Sequence, residues 1–149
     1  MHGRVLAAID QREIRHSVIE SASRLARQSI AAVAVFHGIE FVGRGCAAPL
    51  ETRQEGQLVV EEAVFDLRMA GVGATGSVRP CFNRDVGRMI LEEAERWRAD
   101  LIVVGGRRGR GPGRVLGRGT RERVLRRSPI PVVVAPFLPV GAGGPGSGR

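Results

Sequence analysis

The chain has 149 residues, enough for one ordinary domain and too few for two, and its 43% hydrophobic and 26% charged residues are a globular balance. No apolar run approaches the roughly 20 residues of a membrane helix. The formal charge is +8 and all 23 basic residues are arginine, which excludes Schiff-base and Walker-type lysine chemistry.

The first predicted strand is Arg4–Ile9, a continuous apolar run. A helix over about Glu13–Gln28 follows, with Ile14, Val18, Ala22, Leu25 and Ala26 on one face. Ile30–Phe36 reads as a second buried strand, and Gly38–Glu55 as a loop. A second helix spans about Gly56–Ala70 and is ended by Gly71-Val72-Gly73. Ala74–Pro80 is a less apolar strand, expected near an edge. Asp85 is a candidate N-cap for a helix running to about Arg98, with Trp97 packed at its end. Asp100–Val104 is the fourth strand, Gly105–Arg114 a Gly/Arg loop, Thr120–Arg127 a helix, and Pro129–Ala135 a fifth strand with edge-type prolines.

Strands that are apolar runs, alternating with helices, indicate a parallel sheet covered on both faces. The expected fold is an α/β three-layer sandwich with five parallel strands. Residues 1–137 would form one domain and residues 138–149 a disordered Gly/Pro-rich tail. The Met1-His2-Gly3-Arg4 start does not resemble a leader. Cys46 and Cys81 make neither a disulfide framework nor a zinc site. A soluble, cytoplasmic protein without a membrane partner is therefore expected. His16 and His37 have no evident partner in the sequence, and His37 reads as structural. No triad, carboxylate pair or metal cluster points to a catalytic residue.

Charge is uneven. Residues 101–149 hold ten arginines against the single acid Glu122, while the first hundred residues are almost balanced. An anionic ligand is the natural partner of such a segment. The loop after strand four is longer than the roughly 2–6 residues usual for a βα connection. Its glycines allow close backbone approach to a ligand, and a helix starting near Gly119-Thr120 would offer N–H groups to phosphate. A dinucleotide fingerprint would follow the first strand, not the fourth, and a P-loop would need a lysine before Thr120.

Gly106, Gly109, Gly119 and Thr120 form the pattern G-x2-G-x9-G-[ST]. With Val5-Leu6-Ala7-Ala8-Ile9-Asp10, Ala99–Gly105 and Glu122–Val132, this resembles the universal stress protein family, over about residues 3–136. A register starting at Gly105 would instead put Arg108 and Arg118 at motif positions. Gln11-Arg12 stands where the family usually has Gly-Ser. The resemblance implies a sheet of order 3-2-1-4-5, of the adenine-nucleotide alpha-hydrolase (HUP) type, with ATP as ligand together with Mg2+ or Mn2+. By the same resemblance Ala8, Ile9, Asp10 and Gly38 lie beside adenine and ribose. Gly106, Gly109, Gly119 and Thr120 meet ribose and phosphates; of the arginine cluster over 107–127, Arg108 and Arg110 are the ones expected, on charge alone, to face phosphate. No residue of this chain would bind a metal on its own account, Asp10 being the one acid on offer to a nucleotide-bound ion.

The leading expectation is a nucleotide-binding stress-response regulator, with slow ATP hydrolysis compatible with it. A second reading is a homodimeric interaction module that has lost ATP, pairing through the fifth-strand edge and serving an unknown protein client. Nucleic-acid binding through the arginine segment ranks last, because that segment has no aromatic residue to stack bases before Phe137.

Overall fold

The chain folds as β1 (Arg4–Ile9), α1 (Ile14–Ser29), β2 (Ala32–Val42), β3 (Ala48–Pro49), α2 (Arg53–Met69), β4 (Ala74–Phe82), α3 (Val86–Trp97), β5 (Leu101–Gly105), α4 (Val115–Arg127) and β6 (Val132–Ala135). The computed structural model describes residues 3–10, 14–43, 48–106 and 115–136. The tail expected over 138–149 lies outside the described residues.

Five strands are parallel, in the order β4-β2-β1-β5-β6. This is the strand order implied by the resemblance, with β3 left aside. The sheet is nevertheless mixed, which corrects the expectation of five strands all parallel. β2 outruns β1, whose last partner on it is His37. The free edge beyond is taken by β3, antiparallel, through Phe41↔Pro49 and Val42↔Ala48. Gly38 therefore lies inside a strand, not in a loop.

Strand pleating sorts the core into two layers, since successive side chains point to opposite faces. Val5, Ala7, Ile9, Val33, Val35, Leu101 and Val103 pack with Val18, Ala22, Val60 and Leu67 of α1 and α2. Leu6, Ala34, Phe36, Ile102 and Val104 pack with Met89, Ile90, Ala94 and Val124 of α3 and α4. Trp97 joins the second layer at its margin, and the Arg4 guanidinium lies 5.7 Å from its ring centre.

The helix ends follow capping chemistry. Ile30 is the left-handed residue that closes α1, with φ 55°, and not the start of β2. The Ala31 N–H reaches the Ala26 carbonyl, as a Schellman turn requires. Gly71 and Arg98 close α2 and α3 in the same way. α2 begins earlier than the apolar spacing suggests, because Thr52 and Glu55 form a capping box: Thr52 Oγ1 accepts from the Glu55 N–H at 3.1 Å, and the Thr52 N–H donates to Glu55 Oε2 at 2.6 Å. Asp85 takes the N-cap position of α3 but makes no capping hydrogen bond, lying 3.8 Å from Arg88 instead.

Candidate functional site

The neighbours of β1 are β2 on one side and β5 on the other, so strand order reverses at β1 and β5. A crevice opens at the carboxyl ends of such strands. Here it is a cavity of about 410 Å³, within the range of small-molecule sites. A larger, open groove of about 760 Å³ runs along α1, lined by exposed charged side chains and no strand ends.

β1 contributes Ala8 and Ile9 to the cavity and places Asp10 at its rim; β5 contributes Val104 and Gly105, followed by Gly106. β2 presents alternate residues, Phe36, Gly38 and Glu40. Val86 and Ile90 of α3 and Thr120 and Arg121 of α4 close the far wall. Gly38 is there for a steric reason. A Cβ on it would lie 2.7 Å from Cys81 Sγ. The Cys81 thiol is pushed up to about 11, by burial first and then by the negative charges of Glu40 and Asp85, with Arg79 opposing. It is a packing group and not a nucleophile at neutral pH.

Of the residues expected from the sequence, Ala8, Ile9, Asp10, Gly38, Gly106 and Thr120 all line this cavity. Gly109 and Arg110 lie outside the described residues. The helix does not begin near Gly119-Thr120, where the sequence places its start. α4 starts at Val115, so their N–H groups fall beyond the first turn, the part of a helix whose donors are left free. Thr120 reaches the cavity from the body of the helix, whereas Gly119 is exposed and does not line it. Arg121 and Glu40 were missed by sequence reasoning; nothing in their spacing marks them.

His37 was also missed as a paired group. Its Nδ1 donates to the Ile9 carbonyl at 3.0 Å, and its Nε2 faces Glu51 Oε1 in a short contact. Both side chains are buried, and Glu51 lines the cavity. Among the described residues no cluster of three or more His, Cys, Asp or Glu could hold a metal ion. No helix of the described residues is long and apolar enough to cross a membrane.

The family model of the universal stress proteins matches residues 1–136. The chain belongs to the universal stress protein family. Its fold is similar to that of a family member from Burkholderia pseudomallei, with 22% identity and a TM-score of 0.73 over 91% of this chain and 96% of that one. A member from Archaeoglobus fulgidus in complex with dAMP matches with 22% identity and a TM-score of 0.67, covering 91% and 98% of the two chains. A universal stress protein solved in complex with cAMP matches with 24% identity and a TM-score of 0.65, covering 90% and 96%. Among curated proteins no sequence matches the chain.

Proposed function

We propose that this chain is an adenine-nucleotide-binding regulatory protein of the stress-response type, holding ATP as a ligand and not mainly as a substrate. The observation that carries the reading is the cavity between β1 and β5. Its lining includes Asp10, Gly38, Gly106 and Thr120, residues separated by most of the chain.

The chemistry of that wall suits a nucleotide. Phe36, Val86, Ile90 and Val104 supply apolar surface for a base. Asp10 can accept from ribose hydroxyls. Gly105 and Gly106 bring backbone close without a side chain, and the Thr120 hydroxyl and Arg121 guanidinium suit phosphate oxygens. Gly109 belongs to the phosphate-facing segment by motif, and Arg110 beside it by charge. A divalent ion such as Mg2+ or Mn2+ would arrive with the phosphates, with Asp10 as the carboxylate offered to it. Slow hydrolysis needs only a positioned water there. Cellular placement in the cytoplasm is part of the same proposal.

The second reading rests on β6. Among the described strands it pairs with β5 alone, and Val134 is exposed. An open apolar edge is a ready template for pairing. In this reading a homodimer through Val132–Ala135 presents the protein to a client without nucleotide.

Calorimetry with ATP and Mg2+ tests the first reading, comparing the wild type with Gly106→Val and Thr120→Val. One saturable site per protomer is expected, weakened roughly tenfold or more in each variant, the scale of a lost hydrogen bond to a charged group. Binding that is unsaturable, or that ignores both substitutions, would refute it.

A further inference from the structure

Beside the cavity lies a buried pair, His37 and Glu51, whose contact the nucleotide reading does not use. His37 ends the register of β1 on β2, and its side chain lies with the odd-numbered β2 residues on the face of α1 and α2, away from Phe36 and Gly38. Its Nδ1 donates to the carbonyl of Ile9, the last residue of β1. The β1 ladder with β5 has already stopped at Ala7↔Val103. The next residue is Asp10, at the cavity rim. On its other side the ring meets Glu51, which directly precedes the Thr52–Glu55 capping box of α2. Gly56, in the first turn of α2, lets that helix close over the ring. A Cβ there would lie 3.0 Å from Ile39 Cγ1 and 3.4 Å from His37 Cδ2.

Proton logic reinforces the geometry. The Ile9 carbonyl can only accept, so Nδ1 must carry a hydrogen. Nε2 then either donates to an ionised Glu51 or accepts from a protonated one. In both cases the pair is neutral overall and shares one proton, a satisfied arrangement for two buried groups. Charged groups near the pair in sequence or strand register include Asp10 after β1, Glu40 on β2, Arg53 and Glu55 in α2, and Arg79 on β4.

We propose that His37 is a positioning residue for the nucleotide site. Held by Glu51, it fixes the Ile9 carbonyl and so the Asp10-bearing tip of β1, and it ties that tip to the start of α2. The inference rests on the nucleotide reading for its ligand, but not for its geometry.

The test measures ATP affinity by calorimetry, with thermal melts to establish folding, on His37→Leu, His37→Asn, Glu51→Ala and the His37→Leu/Glu51→Ala double variant. An asparagine amide takes the place of Nδ1 and keeps the hold on Ile9. Folded His37→Leu should bind ATP about tenfold more weakly, the scale of typical site coupling, and His37→Asn should recover most of that loss. The double variant should be no weaker than His37→Leu, because both changes break one chain of contacts. If His37→Leu does not fold, His37→Gln replaces it, since glutamine extends toward Glu51 and not Ile9. Wild-type affinity in folded His37→Leu, equal weakness of His37→Asn, or additive losses would each overturn the proposal. Backbone hydrogen exchange on the ligand-free protein separates this from failure of the nucleotide reading. If the wild type takes no ATP, that reading falls, and joint loss of protection at residues 8–10 and 52–56 in the His37 variant still sustains the clamp. Independent behaviour of the two segments overturns it.

Discussion

Replacing Gly38 by alanine tests whether the cavity floor is built as described. The added Cβ would lie 2.7 Å from Cys81 Sγ, while the Val86 methyl carbons stand at an ordinary 3.9 Å. Non-bonded carbon atoms prefer about 3.5–4.0 Å, so about 1 Å must be absorbed between two paired strands. Cys81 is buried in β4, opposite Glu40 of β2, and its short side chain has little room to swing. Overpacking of this kind costs about 1–3 kcal/mol. For a domain of this size that is roughly 2–4 °C in Tm per kcal/mol. Cys81→Ala removes the opposing sulfur, so the Gly38→Ala/Cys81→Ala double variant should regain much of the loss. The coupling expected from a double-mutant cycle is about 1–2 kcal/mol, measured by urea unfolding of all four proteins. If Gly38→Ala is as stable as the wild type, or if its cost is unchanged without the sulfur, the steric account of Gly38 is wrong.

Gly76→Ala should be worse, because its Cβ would meet Val60 Cγ1 at 2.2 Å, whereas at Gly73 a Cβ meets nothing within 4 Å. Equal melting temperatures for the two alanine variants would contradict this. In a Cys46→Ser background, Cys81 should resist alkylation at pH 8 until the protein unfolds. Its thiol is raised from 9.0 to about 11 on folding, so it favours the folded state below pH 9, and that contribution is lost as pH rises toward 11. Rapid labelling of native protein would refute its burial. Thr52→Ala should cost about 1 kcal/mol by removing the N-cap. The Glu55 carboxyl is held below 4.5 by hydrogen bonds with the Thr52 backbone and side chain. The stability advantage of wild type over Glu55→Gln should therefore be full above pH 4.5 and fade as pH falls through the lowered value, as read by melts at successive pH values.

The fold was legible because its buried strands are written as apolar runs and its helices as spaced apolar faces. Val5–Ile9 and Leu101–Val104 could hardly be anything else. The failures fall where short-range chemistry outweighs hydrophobic spacing. Ile30 looks like a strand residue by composition, yet the helix before it needs a left-handed end. Thr52-x-x-Glu55 was a readable capping signal that a scan for apolar periodicity passes over. Gly38 looks like loop punctuation, and its reason for being glycine is a sulfur 43 positions away in sequence. The site was legible in part, since Asp10 and Gly106 sit at strand ends that any sheet of this order must bring together. The pairing of His37 with Glu51 was not, because it depends on where β3 and α2 place a residue 14 positions downstream.

The distribution of charge along the cavity bears on how the proposed ligand would lie. With Glu51 already paired to His37, the other described acids of the wall, Asp10 and Glu40, come from the end of β1 and from β2. The described cation, Arg121, comes from α4, and Gly105 and Gly106 from the end of β5. Because β2 and β5 flank β1, the acids gather at one end of the crevice and the glycines, Thr120 and Arg121 at the other. The arginine-rich sequence of residues 101–149 begins at that second end. A uniformly charged polyanion is poorly matched to such a wall, since some of its phosphates would meet carboxylates. A molecule with a neutral end carrying hydrogen-bond donors and anionic charge at the other end matches it throughout. A nucleoside phosphate has this polarity, with ribose hydroxyls and an amino group at one end and phosphate oxygens at the other. The same asymmetry that makes the sequence look like a nucleic-acid binder therefore favours a single nucleotide once the sheet has placed the described acids apart from Arg121.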